Sequence, residues 1–320
     1  MNQPETTKPI IGLSACLLGH QVRYDGGHKR DRFIAEILQE HVEYHPLCPE
    51  TGIGLGVPRP TIRLVGDPDK PRLVGVADPS QDFTRQMQAY TLQQTERLDH
   101  LSGYILKKNS PSCGMSRVKV FSEQGTHAQR KGSGIFAQLL MEKLPQLPVE
   151  EEGRLNDPVL RENFINRIYV YHRWHLLRQQ GFSAAKLIDF HTNHKYLVMA
   201  HSQAAYQRLG RLLSNLAEED LDQIAATYIE ALMQTLKRRV TRSRHVNVLQ
   251  HIMGYLKKSI DSEDKSELVS CIEAYRRMET PLVVPMTLLK HYFRLHPDSY
   301  MSRQIYLQPH PEKLGLRNLI

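Results

Sequence analysis

Cysteine is scarce in this sequence, with four in 320 residues, and there is no C-x-x-C pair and only one tryptophan. Four thiols cannot form the disulfide framework of a small secreted domain, and the missing close pair removes the usual spacing of a structural zinc site. No apolar run reaches membrane-spanning length, and the opening residues, MNQPETTKPIIGLSAC, lack the basic start and long apolar stretch of a secretory signal. We therefore expect a cytoplasmic chain with no membrane partner and no obligate protein partner in evidence. In a reducing compartment its thiols are open to metal binding or catalysis. Nucleotide-binding signatures are missing too. No G-x-x-x-x-G-K-S/T loop is present, and TGIGLGVPRP cannot open a dinucleotide-binding helix because Pro58 and Pro60 forbid it.

What is present divides into two halves. Residues 1–150 carry 18 Lys and Arg against 16 Asp and Glu, a surplus of +2, whereas residues 151–320 carry 24 against 18, a surplus of +6. A basic balance of that size suits a polyanion without requiring one. In the first half IIGLSA, VEYHPL and GYILKK read as strands, with helical patterns from about Arg30 to Glu40 and over DFTRQMQAYTLQQTERLDHL from Asp82. Strands alternating with helices predict an α/β, Rossmann-like and mostly parallel sheet. From about Asn156 apolar residues recur three and four apart, which predicts an all-α domain. The expected division is a first domain over 1–148 and a helical one over 156–320, with the hinge in the Pro-rich, acidic stretch 144–158.

Cys16, Cys48 and Cys113 each follow an expected strand, whereas Cys271 stands alone in an amphipathic stretch that reads as packing. In an open parallel sheet, loops beyond the carboxyl ends of the strands meet in one crevice. Three thiols distant in sequence are therefore expected to gather. Their loops, CLLGHQVRYDGG, CPETGIGLGVPRP and NSPSCG, are rich in glycine and polar residues that let backbone approach a bulky ligand. Three thiolates without a fourth suit a 4Fe-4S cluster with one iron left open. Zinc, or three merely packed cysteines, are the alternatives.

The segments SACLLG with VRYDGG, HPLCPE, GLGVPRP, KKNSPSCG and KGSGIFA resemble, in order over residues 8–145, the thiouracil desulfidase (TudS) family. The second half, with FHTNHKYLVMAH, HVNVLQHIMGYLKK and PLVVPMTLLKHY, resembles the YbgA-type helical domain, and the fusion is similar to the RNA 4-thiouridine desulfidases (RudS). The resemblance implies a 4Fe-4S cluster on Cys16, Cys48 and Cys113, non-redox hydrolysis of a C–S bond, and thiolated tRNA as substrate, with free thiouracil also possible. It implies Glu50 as the acid and base of the reaction, where the purely structural alternative is a carboxylate that caps the next turn or pairs with Arg59, and Ser110 beside the reacting groups. Ser14 and Ser112 are expected to contact substrate or cluster.

Other residues carry weaker expectations. Asp25, in YDGG, can hold a substrate N–H or simply make a turn. Gly132, Ser133 and Gly134 open a helical pattern whose free N–H groups suit a phosphate. Lys107 and Lys108 put positive charge at the mouth of the site. At helical spacing Lys237, Arg238, Arg242 and His245 would share a face, with Arg239 beside them, as contacts for RNA phosphates. Lys195, with His191, His194 and Tyr196, suits phosphate and a stacked base. Two other functions fit the same residues: a tRNA thiolase, which would need an ATP signature, and a metal-containing RNA-binding sensor without turnover.

Overall fold

The computed structural model describes residues 7–216 and 220–320. The chain divides into two compact units after Asn156.

In the first unit, strands β1 (Ile10–Ser14), β2 (Glu43–Leu47), β5 (Gly103–Leu106) and β8 (Val149–Glu151) form one sheet in the order β2-β1-β5-β8, every pair parallel. β5 is buried throughout, and β1 at four of its five residues, as expected for strands covered on both faces of a parallel sheet. Helices α2 (Thr84–Thr95) and α3 (Ile135–Lys143) pack on each other, and α1 (Pro49–Gly52) is a single turn. The Asp82 carboxylate accepts from the Thr84 N–H at 2.8 Å, which closes the start of α2 where the sequence places it.

A second sheet, in the order β4-β3-β6-β7, is built from β3 (Ile62–Asp67), β4 (Lys70–Gly75), β6 (Val118–Phe121) and β7 (Ala128–Gly132). Its β3–β4 and β6–β7 pairs are antiparallel hairpins and its β3–β6 pair is parallel. The pattern over 30–40 forms no regular α-helix. It is a wide turn at Phe33–Ile37 followed by a tight one at Leu38–Glu40, and the Ile34 carbonyl accepts from the Tyr44 hydroxyl at 2.8 Å. The acidic stretch read as hinge contains β8, so the linker begins later than its composition suggests.

The second unit holds α4 (Pro158–Gln179), α5 (Ala184–His201), α6 (Gln203–Leu212), α7 (Leu221–Leu236), α8 (Arg242–Met253), α9 (Ser262–Arg276) and α10 (Val283–Leu295). α4 starts with Asp157 accepting from Val159 and Leu160 N–H groups and Pro158 at its first position. Trp174 lies in the core among Phe182, Phe190 and Tyr228, and Cys271 is half-buried on α9. Among the described residues no helix is long and apolar enough to cross a membrane.

Two expectations for this unit are corrected. Residues 237–241 lie between α7 and α8, so Lys237, Arg238, Arg242 and His245 share no helical face. Lys237, Arg238 and Arg239 are exposed on that turn, but the Arg242 guanidinium donates to the Tyr275 carbonyl at 2.7 Å and lies 4.2 Å from that ring's centre. His245 is buried against the Tyr306 hydroxyl at 2.8 Å. The His191, His194 and His201 rings are also buried, bonded to Tyr228 hydroxyl, Phe190 carbonyl and Arg238 carbonyl. Tyr196 is buried with them, and Lys195 spreads its ammonium over the rings of Tyr196, Tyr206 and Tyr300. These groups pack the bundle and do not present a stacked base with a phosphate.

Burial lowers the ring pKa to about 4 for His191, about 3 for His194 and about 4 for His201. Between the ordinary value near 6.5 and these values the unfolded chain binds protons that the folded chain refuses, so stability falls as pH drops. Urea unfolding followed by fluorescence of Trp174 should show stability decreasing from pH 7 to 4.5, with a limiting slope of ~1.4 kcal/mol per pH unit per histidine. His194→Gln, if folded, should flatten that slope.

Candidate active site

The parallel order β2-β1-β5 brings three loops to one edge of the sheet. Ser14 at the end of β1 is in register with Leu47 at the end of β2, and Leu13 with Ile105 of β5. Cys16 therefore sits in the short turn just past β1, and Cys48 follows β2 directly, where it caps α1. Cys113 occupies the turn that follows β5, closed by the Gly114 N–H donating to Ser110 carbonyl at 2.9 Å. All three are free cysteines and line one cavity of about 330 Å³. Among the described residues no three His, Cys, Asp or Glu side chains are grouped as around a single metal ion.

Cys16 and Cys113 are held in a setting hostile to bare thiolates. Burial, then the neighbouring Cys48, raises the Cys16 thiol to about 11. Burial drives Cys113 well above the ordinary thiol range, opposed in part by its hydrogen bond with Ser14, and Glu50, Cys48 and Cys16 add to the rise. Ser14 also accepts from the Lys107 N–H at 3.0 Å, so one hydroxyl joins the turn after β5 to the end of β1. It lines the cavity, as expected.

Glu50 reaches the same cavity on the single turn α1. Both bonds from Arg59, Nη2 at 2.5 Å and Nε at 3.2 Å, fall on Oε2, and Oε1 has no protein partner among the described residues. Arg59 is itself anchored by the Val22 and Gly56 carbonyls, which ties the loops after β1 and β2 together. The pairing expected for a purely structural carboxylate and the cavity position expected for a catalytic one thus occur in the same residue.

The two serines before Cys113 separate. Ser110 lines the cavity, and its Oγ accepts from the N–H groups of Cys113 at 3.0 Å and Ser112 at 3.2 Å. Its hydrogen is what it has left to offer a ligand. Ser112 is completely buried and does not line the cavity; its Oγ, like the buried Tyr104 hydroxyl on β5, has no partner among the described residues.

Several expected residues lie elsewhere or are otherwise engaged. Asp25 is absent from the cavity wall and closes its own turn, accepting from the Gly27 N–H at 3.0 Å, the bond that chiefly holds its carboxyl below the usual range. Gly132, Ser133 and Gly134 offer no anion site, because Gly134, Ile135 and Ala137 donate their N–H groups to the carbonyls of Gly114, Pro111 and Ser112. Ser133 Oγ donates to Met115 carbonyl at 2.9 Å. The start of α3 is spent on folding the cysteine turn. Lys107 is ion-paired with Glu152 and largely buried, so it does not project as a free steering charge, whereas Lys108 is exposed at the rim.

The residues missed in the sequence are the glutamates at the end of β8. Glu152 takes the Lys107 ammonium and the Lys108 N–H at 2.8 Å, and Glu151 accepts from the Met115 N–H at 2.8 Å. Both carboxylates are buried and strap down the two ends of the turn carrying Cys113. An acidic triplet after two prolines reads as a solvated linker. Only its pairing with β5 reveals it as a buried strand end.

The contact between α3 and this turn leaves no room for a side chain. A Cβ on Gly134 would lie 2.4 Å from the Ser112 carbonyl carbon and oxygen. Gly134→Ala should therefore cost the first unit about 1–3 kcal/mol. Far-UV circular dichroism during urea unfolding would show it, with the Trp174 transition of the second unit unchanged.

With this geometry in place, comparisons with known proteins are informative. Residues 11–152 match the family described as 2-thiouracil desulfurase, and residues 195–311 match the one described as a protein of unknown function, DUF1722. YbgA of Escherichia coli (strain K12), described as uncharacterized, is 34% identical over 153 residues, covering 48% of this chain and 90% of that protein. YbbK of Bacillus subtilis (strain 168), also described as uncharacterized, is 33% identical over 157 residues, covering 46% of this chain and 99% of its own. A solved structure, a 4Fe-4S-dependent thiouracil desulfidase, is 27% identical and covers 47% of this chain and 95% of its own, with a TM-score of 0.39. The chain thus belongs with YbbK and YbgA, joining in one polypeptide a 2-thiouracil desulfurase domain and a DUF1722 region.

Proposed function

We propose that this protein is a 4Fe-4S-dependent, non-redox desulfidase that converts 4-thiouridine in tRNA to uridine in the cytoplasm and also accepts free thiouracil. The observation that carries the reading is the meeting of Cys16, Cys48, Cys113 and Glu50 on one cavity beyond three adjacent parallel strands.

The donor set fits such a cluster. Three soft sulfur ligands suit iron and sulfide, and buried thiols with raised pKa values become thiolates when a positive centre replaces their protons. The buried Tyr104 hydroxyl, unpartnered among the described residues and close enough to Cys113 to feel its charge, is a donor for the kind of outer contact that tunes such centres. A bound cluster with one iron free of protein ligands supplies a Lewis acid for the sulfur of a thiocarbonyl.

The chain's own groups handle the protons. Arg59 fixes Glu50 through Oε2 and leaves Oε1 to take a proton from the attacking water. The same carboxyl returns that proton to the departing sulfur, which leaves as hydrosulfide; the proton remaining on the added hydroxyl is released as the ring carbonyl forms, so water and thiocarbonyl give carbonyl and hydrogen sulfide without net electron transfer. The Ser110 hydroxyl, held by its bonds to the Cys113 turn, orients the ring through its remaining hydrogen. A base in folded RNA must leave its stack to enter a cavity of this kind. Exposed Lys108 at the rim, and Arg238 and Arg239 on the second unit, are the cations this reading assigns to RNA phosphates.

The test is anaerobic purification, assay of iron and sulfide, and incubation with thiolated tRNA without ATP or reductant. Loss of 4-thiouridine with one sulfide released per base is expected; an iron-free, zinc-loaded protein would sink the reading. Glu50→Gln should keep the iron and lower kcat by roughly 10²- to 10⁴-fold. Replacing any one of the three cysteines by serine should lose the cluster.

A further inference from the structure

The second sheet carries a row of three cations that form no ion pair among the described residues. Lys119 on β6 and Arg130 on β7 are directly paired residues of an antiparallel ladder. Leu64 of β3 is in register with Val120, so Arg63 and Lys119, one residue earlier on each strand, are neighbours across the parallel pair. The three side chains line one groove of about 360 Å³ with Phe121 and Pro111. Like charges placed directly opposite on one face of a ladder repel.

Several other cations of this unit do have partners: Arg72 with Asp82 and Glu123, Arg59 with Glu50, Lys107 with Glu152, Arg30 and Arg32 with Glu36. Among the described residues Arg63, Lys119 and Arg130 form no ion pair. The Arg63 guanidinium lies 5.2 Å from the centre of the Phe121 ring and against Gly125, and its buried Nε has no hydrogen-bond partner. A guanidinium held beside an aromatic ring, with an ammonium and a second guanidinium on the neighbouring strands, is a receptor for phosphate oxygens.

The groove also adjoins the cysteine cavity. Ile62, Asn109 and Pro111 line both, with Asn109 in the left-handed region at φ 61° at the junction. We infer that this groove is a binding site for the phosphodiester backbone of the nucleotides flanking the thionucleoside, so that a polynucleotide lies along β3, β6 and β7 while its base occupies the cavity. The inference rests on the desulfidase reading for what occupies the cavity, and on the cation row alone for the backbone.

The test uses the full-length holoprotein and a triple variant, Arg63→Gln with Lys119→Gln and Arg130→Gln. Anisotropy of a fluorescein-labelled single-stranded oligouridylate, titrated at several salt concentrations, measures the backbone contacts. The slope of log K against log salt should be shallower in the variant by about 2, at about 0.7 per phosphate contact. Arg130→Gln alone, on the edge strand β7, should remove part of that slope, and Arg130→Lys should keep it. In turnover, kcat/KM on thiolated RNA should fall roughly tenfold or more in the triple variant, with free 4-thiouracil turnover within about twofold. An unchanged salt slope overturns the proposal, as does an equal fall on RNA and free base. A gain already complete with 4-thiouridine 5′-monophosphate also overturns it, since the groove would then hold the nucleotide's own phosphate. If neither substrate releases sulfide, the desulfidase reading fails while the anisotropy still decides the groove.

Discussion

Parallel pairing of β1 with β2 on one side and β5 on the other is the constraint on which the site depends. Parallel neighbours end at the same edge, so the chain returns to that edge each time it completes a crossover. Cysteines separated by 32 and 65 positions, at 16, 48 and 113, need no other device to meet. The remaining contacts refine that meeting: Arg59 ties two of the loops, Ser14 joins the end of β1 to the third, and the glutamates of β8 hold the third at both ends.

The electrostatics of the cavity follow from this convergence. Buried thiols crowded together with a carboxylate favour protonation, as the raised Cys16 and Cys113 values show. A cationic centre reverses that preference, so binding of such a group and ionisation of its ligands are one event. Arg59 pairs with Glu50 next to the thiols, its guanidinium almost fully buried against that side chain. Its anchoring carbonyls also fix the direction from which the charge is supplied.

Much of this was legible in the sequence because the signals are local. IIGLSA, VEYHPL and GYILKK are short apolar strands leading to a cysteine, and all three form strands at those places. The helices after Asp82 and Gly134 were equally plain. The second sheet was not, since strands such as VKVF and AQRKG are short and charged, and their stability comes from the partner strand. Ser112 and Ser110 could not be told apart from spacing alone. The roles of Gly132, Ser133, Gly134, Lys107 and Arg242 were misread for one reason: each has a long-range partner that takes the group local pattern left free.

The strand β8 has a consequence for where the chain can be divided. Composition invites a cut near Pro148, before the acidic run, yet the three residues that follow complete the parallel sheet, and the next glutamate grips Lys107 and Lys108. A fragment ending there would keep all three cavity cysteines and still lose the edge strand and the clamps on the turn that carries Cys113. The buried glutamates at the end of β8 thus belong to the first unit, which extends through Asn156.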